Sequence, residues 1–419
     1  MFFFDKLCAR VIITRCFDFG VIRLGRILFS VGSEFVSNTT KRDKDQLNIA
    51  MLGHKRVPSR EGGVEVVVEE LSVRMASLGN KVTCLNRSGH HVAGEEYDTI
   101  VGNIYKGVRL RNVPTINIKG FAAATASFFG AVFAAFGRYD VVHFHAEGPC
   151  ATMWIPKFFG KRCIATIHGL DHKRQKWGKV ASRYIMKGER CAVKYADEII
   201  VLSRNAQQYF MDTYGRETVL IPNGVNKPVI MAPKEIRRKY DLAKDEYILF
   251  LGRLVPEKGL EYLIKAFKNI DTDKKLVIAG GSSDMQEYEE YIKKLASDDP
   301  RIIFTGFVQG RTLDELLSNC YVYVLPSDIE GMPLTLLEAM SYGQCCLVSD
   351  IPECLDFIED KAITFHKGNV DDLRDKLRYL IQNPDVVVKK REGVSVYVCN
   401  KFNWDNVVDE TLKLYRNSK

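Results

Sequence analysis

The sequence has no C-x-x-C pair, although it carries 11 cysteines, and the nearest two, Cys345 and Cys346, are adjacent. Zinc sites draw their thiolates from pairs at loop spacing, so a structural metal is not expected. An odd number of scattered thiols suits a reducing compartment, with cysteines mostly buried and unpaired. Long apolar runs are also lacking. No stretch approaches the roughly 20 residues a spanning helix needs, and Arg10, Arg15, Asp18, Arg23 and Arg26 interrupt the apolar N-terminus. The 13 prolines and 31 glycines are too few for a low-complexity or collagen-like chain. Nor is there an acidic excess: 60 Lys and Arg stand against 52 Asp and Glu, a net +8. That balance excludes an acidic tail protein and leaves open a surface that meets phosphate or anionic lipid. What is present, 46% hydrophobic and 27% charged residues over 419 positions, fits a globular chain of two or three domains.

Residues 1–47 read as an extension, disordered or interfacial. Arg15, Asp18, Arg23 and Arg26 fall on one side of a helical projection, with Phe17, Val21, Leu24 and Leu28 mostly elsewhere. Translation from near Leu47 would give a chain without it. From Asn48 a regular grammar begins. Strands are predicted at 48–52, 81–85, 141–144, 163–167 and 198–202, with helices at 64–78 and 122–136. After the Pro222–Pro233 stretch the grammar restarts, with strands at 247–251, 275–279, 301–304, 321–325 and 345–348. Alternating β and α implies helix-covered parallel sheets. The chain divides into a Rossmann-like unit at 48–230, a second at 231–403, and a terminal amphipathic helix at 404–416. Two doubly wound units facing each other put a ligand cleft at the carboxyl ends of their strands. The Ala- and Phe-rich helix 122–136 is too short to span a membrane and reads as core.

Four strings at predicted strand ends carry chemistry. In Ser327–Gly343, a loop with Glu330, Gly331 and Met332 leads to Pro333, placed where a helix starts. The free N–H groups of that first turn, around Leu334, can receive an anion or a sugar oxygen. Glu338 points back toward the same turn. Two carboxylates there suit hydroxyl-rich ligands such as ribose and hexose. In Leu251–Gly259, Arg253 and Lys258 can together neutralise a diphosphate, one as a fork and the other as a point charge. The Walker A spacing is absent. In Gly53–Gly63, adjacent Gly62 and Gly63 allow close approach of a ligand to a helix N-terminus. His143, His145 and His168 end strands at the cleft edge, and His168 is the candidate for a sugar hydroxyl or a proton.

The charge excess is local. Residues 172–194 hold eight basic residues against Glu189 alone. Lys176, Lys179, Arg183, Lys187, Arg190 and Lys194 step by three or four and form one stripe on a helix. Such a stripe suits anionic headgroups or a lipid diphosphate, and a solvated face is the plain alternative. No aromatic platform for nucleic acid accompanies it.

Glu330 and Glu338 in Glu-Gly-Met-Pro-Leu-Thr-Leu-Leu-Glu-Ala-Met resemble the paired-Glu motif of glycosyltransferase family 4. Gly252-Arg253-Leu with Glu257-Lys258-Gly259 resembles its phosphate motif. Ile221-Pro-Asn-Gly-Val225 and the helix from Trp404 look like further parts of the same pattern. The opening Gly53-to-Glu65 string is similar to members that build capsule, O-antigen or exopolysaccharide units. The resemblance implies a GT-B fold and a hexosyl transfer from a nucleotide-diphosphate sugar, UDP-linked, with retention at the anomeric carbon and no obligatory metal. It places Glu338 on the ribose, Glu330 near the hexose, the N–H groups of Gly331 to Leu334 on sugar and diphosphate, His168 beside the reacting sugar, and Gly63 on the diphosphate. The acceptor it implies is a lipid-linked or growing saccharide, met by a cytoplasmic enzyme peripheral on the inner membrane face. A non-catalytic nucleotide-sugar-binding subunit and a sugar-nucleotide epimerase are the competing readings.

Overall fold

The computed structural model describes residues 46–89, 102–116, 118, 121–170, 178–281 and 285–416. The expectations for residues 1–45 therefore lie outside the described residues, as does Lys176.

The first sheet has eight strands: β1 (Asn48–Leu52), β2 (Lys81–Arg87), β3 (Ile104–Tyr105), β4 (Val108–Val113), β5 (Val141–His145), β6 (Arg162–Ile167), β7 (Glu198–Val201) and β8 (Val219–Leu220). Their order is β3-β4-β2-β1-β5-β6-β7-β8, parallel except for the β3–β4 pair. The second has six strands: β9 (Tyr247–Leu251), β10 (Lys275–Ala279), β11 (Ile302–Gly306), β12 (Val322–Leu325), β13 (Cys346–Ser349) and β14 (Ile363–Phe365). Their order is β11-β10-β9-β12-β13-β14, all parallel. These are two doubly wound, Rossmann-like lobes. The central strands β5, β9 and β12 are buried at every residue, as parallel strands covered on both faces must be.

Each sheet has one place where the strand order turns. In the first lobe β1 lies between β2 and β5, and in the second β9 lies between β10 and β12. Ligands of open α/β sheets bind outside the carboxyl ends of the strands at such switch points. The Gly53–Gly63 loop leaves β1, His145 ends β5, Arg253 follows β9 and Ser327 follows β12. All four chemistry-bearing loops are thus delivered to the two switch points by topology.

Helices cover both faces. Those used below are α1 (Gly63–Ser77), α2 (Ala122–Phe136), α3 (Trp154–Phe158), α4 (Lys179–Tyr195), α5 (Arg204–Tyr214), α6 (Leu260–Lys268), α7 (Leu334–Ser341) and α8 (Trp404–Arg416). Ser203 caps α5, its hydroxyl accepting from the Ala206 N–H at 3.2 Å. The terminal helix α8 buries Trp404, Val408, Leu412 and Tyr415 against the first lobe, alongside Leu71, Met75 and Ile200. Arg162 fastens its end by donating from Nε and Nη2 to the Leu414 carbonyl at 2.9 and 2.7 Å.

The core reading of α2 holds for one side of the helix only. Its small side, Ala126, Gly130, Ala131 and Ala134, is buried, but Phe121 just before it, Phe128 and Phe136 are exposed. The sheet takes the residues that allow close approach, Phe129 and Phe133 pack at the edge of the same core, and only Phe128 and Phe136 turn outward. The nine described cysteines are free, seven of them buried.

Candidate functional site

The second lobe builds its half of the site from two loops that touch. After β9, Pro256–Lys258 form a single 3₁₀ turn ended by Gly259 in the left-handed region, φ 65°. That turn brings Lys258 to the loop after β12. Its Nζ lies 2.6 Å from Glu330 Oε1, with only 13% and 8% of the two side chains exposed. Ser327 Oγ donates to the same oxygen at 2.6 Å. Arg253 is half-buried at the end of β9 and has no ion-pair partner among the described residues. Glu330 and Lys258 are therefore held together, and Arg253 lies in the same loop as Lys258.

Pro333 is the N-cap of α7, one position earlier than a first-turn proline. The N–H groups of that first turn have no partners within the helix. Met332 is buried, and the Asn223 N–H of the first lobe reaches its sulfur at 2.9 Å. Leu334 packs on the first-lobe cluster that contains Met51 and Val57.

The first lobe supplies the opposing wall. Gly62 is the extended N-cap of α1, and Gly63 opens the helix. A Cβ on Gly63 would stand 3.4 Å from Leu334 Cδ1, so this turn faces the start of α7. Arg60, in the same loop, places Nη1 3.6 Å from Glu338 Oε1 and Nη2 3.7 Å from Glu70. Burial pushes the Glu338 carboxyl above its usual range, with Arg60 opposing. The loop of His168 closes tightest on the second lobe: a Cβ on Gly331 would lie 1.6 Å from the His168 carbonyl oxygen. Only glycine permits that approach.

His168 is half-buried, and its Nε2 lies 3.1 Å from Nδ1 of the buried His145. Burial holds the His145 ring well below its usual pKa, so it is neutral. His143 is differently occupied. Its Nδ1 meets the Tyr415 hydroxyl at 2.6 Å and its Nε2 the Thr166 hydroxyl at 2.7 Å, and burial drops its pKa to about 3. Both its nitrogens are used, so it is a core histidine that ties α8 to the first sheet. A polar cavity of about 70 Å³ lies at the ends of β2 and β4, lined by Arg56, Asn86, Asn103 and Asn112 among others.

The contacts bring together Gly62, Gly63, His168, Lys258, Glu330, Gly331, Met332, Pro333, Leu334 and Glu338, and Arg253 joins them through the loop it shares with Lys258. Sequence reasoning missed Ser327, Arg60 and the His145–His168 contact. Ser327 sits three residues before Glu330 in the same loop and could have been found. Arg60 and His145 meet their partners only through the fold. Of the basic stripe, α4 carries Arg183, Lys187, Arg190 and Lys194 on its exposed side, away from these contacts. The Lys179 side chain lies outside the described residues. Among the described residues no group of His, Cys, Asp and Glu could hold a metal ion, and no helix is long and apolar enough to cross a membrane.

The family model described as Glycosyltransferase Family 4 matches residues 61–227, and that described as Glycosyl transferases group 1 matches residues 233–397. An uncharacterized glycosyltransferase of Methanocaldococcus jannaschii is 27% identical over 402 residues, covering 88% of this chain and 98% of that protein. Anabaena HepE, solved with UDP-glucose, shares the fold with a TM-score of 0.73 at 16% identity, over 88% of this chain and 100% of that one. WaaG, a glycosyltransferase involved in lipopolysaccharide biosynthesis, shares it with a TM-score of 0.70, also at 16% identity and over 88% and 100% of the two chains. With each lobe matched in turn, and the two switch points facing one another across these loops, the chain belongs to the GT-B glycosyltransferases, a family 4 domain followed by a group 1 domain.

Proposed function

We propose that the protein transfers a hexosyl unit from a UDP-linked sugar to a lipid-linked or growing saccharide at the inner membrane face, with retention, in surface polysaccharide synthesis. The observation that carries this reading is the Lys258–Glu330 pair, in the loop that also carries Arg253, set against the Gly62–Gly63 turn and His168. Two cations and a helix N-terminus suit a diphosphate. Glu338, near that turn, suits ribose hydroxyls, and Glu330 suits the hexose. The UDP-glucose complex of HepE and the lipopolysaccharide role of WaaG support the donor and product classes.

In this reading the bond from the anomeric carbon to the diphosphate oxygen breaks, and the acceptor oxygen bonds that carbon on the same face. The acceptor proton passes to the leaving diphosphate. Arg253, Lys258 and the N–H groups of Gly331 to Leu334 stabilise the charge that develops there. His168, held by neutral His145, hydrogen-bonds the reacting sugar. The basic side of α4 meets anionic headgroups.

The test is a donor screen. The protein is incubated with UDP-, GDP- and dTDP-sugars and lipid-linked acceptors, nucleotide release is measured, and the new linkage is read by NMR. UDP release and an α-linkage from an α-donor are expected. An inverted linkage refutes the front-face mechanism. Activity lost with EDTA and restored by Mg²⁺ refutes charge stabilisation by side chains and helix alone.

A further inference from the structure

The exposed rings of α2 do not stand alone. Phe121, Phe128 and Phe136 are separated by seven and eight positions, which at 3.6 residues per turn confines them to an arc of about 80°. At the end of this stripe Phe136 meets Phe159, ring centroids 4.8 Å apart, and Phe159 meets Phe158 at 5.5 Å. Trp154 lies one turn before Phe158 on α3. All six side chains are between 46% and 71% exposed. A contiguous aromatic surface of this kind on a soluble lobe marks an interaction site. It has a basic neighbour: α2 packs against α3, and α3 against α4. The outward side of α4 carries Val180, Arg183, Lys187, Arg190 and Lys194.

We infer that α2 and α3 form a membrane-docking surface, whose aromatic rings enter the headgroup–acyl boundary of an anionic bilayer while the basic side of α4 holds its phosphates. The inference rests on the membrane-face reading above and adds a second, apolar contact to it. Charge complementarity selects the occupant. Aromatic rings beside cations of one sign match a surface that is apolar beneath and anionic above. A second copy of the chain would bring like charge against like charge across a two-fold contact.

Trp154 reports the contact directly. In the full chain with Trp177→Phe, the remaining indoles are exposed Trp154 and buried Trp404. Phosphatidylglycerol–phosphatidylcholine vesicles with brominated acyl chains should quench Trp154. The quenching should persist in about 1 M salt, where the screening length falls to about 3 Å. Phe128→Ser, Phe136→Ser and Phe158→Ser together should weaken vesicle partition about tenfold or more, with nucleotide release in lipid-free assays unchanged. Trp154 quenching in the unsubstituted surface keeps the test readable should the triple variant misfold.

Protein that sediments with vesicles while Trp154 stays unquenched overturns the aromatic surface. So does a Trp154 shielded from acrylamide without lipid, because residues 1–45 or a second copy then cover the patch. No transfer to any lipid-linked acceptor, with Trp154 still quenched, refutes the acceptor reading and leaves the docking surface standing.

Discussion

Lys258 has two jobs in the proposed mechanism, and they can be separated. In the ligand-free protein it neutralises Glu330 at 2.6 Å, with both side chains largely buried. With donor bound it would face the leaving diphosphate. Lys258→Met keeps the aliphatic stem and removes the charge. Truncating one member of a buried ion pair costs about 3–5 kcal/mol. The lower end applies here, since the lysine is 13% exposed and Ser327 continues to donate to the carboxylate. The expected loss of stability is therefore about 3 kcal/mol. Loss of a group that stabilises transition-state charge lowers turnover by about 10²–10³. Glu330→Gln in the same chain removes the stranded charge, so the double variant should regain most of the lost melting temperature. Its turnover should fall below that of either single variant, because Lys258 acts on the phosphate and Glu330 on the hexose. Thermal melts and nucleotide-release rates on the four proteins complete the cycle. Near-normal turnover of Lys258→Met refutes the phosphate role. Equal turnover in both single variants and the double variant shows that Lys258 works only as the counterion of Glu330.

Arg253→Ala should lower turnover about 10²-fold with little change in melting temperature, since no ion pair is lost; a large destabilisation would assign it to the fold. Glu338→Gln should stabilise the ligand-free protein at neutral pH. The folded carboxyl titrates above its usual range because of burial, so the native state binds that proton more tightly than the unfolded one. The penalty is absent below the ordinary carboxylate pKa and complete above the raised one. The gain in melting temperature should shrink as pH falls through that window, while donor affinity drops at neutral pH; an unchanged melting temperature at neutral pH refutes the sign. Gly331→Ala should force the α7 loop away from the His168 carbonyl and raise the Michaelis constant for donor. An unchanged constant would show that the two loops do not need their present approach.

The sequence reveals what is local. β1, β9 and β12 are legible because a short apolar run ends at a turn string, and the Glu330, Lys258 and Gly62–Gly63 strings are legible for the same reason. β4 is less plain, because it alternates apolar and polar residues, with Val108 and Leu110 inward, where the others are continuous apolar runs, and β8 and β14 are two and three residues long. Pairings across the fold are equally hidden. Glu330 takes its cation from 72 positions away, and His143 takes its hydroxyl from 272 positions away. His143 and His145 look alike in the sequence, yet one is absorbed by Tyr415 and Thr166 and the other meets His168. The helix at 122–136 shows a different kind of limit. Its composition says that it is apolar and says nothing of which side is buried. The spacing of Ala126, Gly130 and Ala134 does carry that information, because small residues four apart let a helix lie close to a sheet. Once that side is inward, Phe128 and Phe136 must face out. A core helix would not need them there, since alanine at both positions would leave the inward packing untouched. In the proposed docking surface these are the rings that would enter the bilayer, and the vesicle experiment decides whether they do.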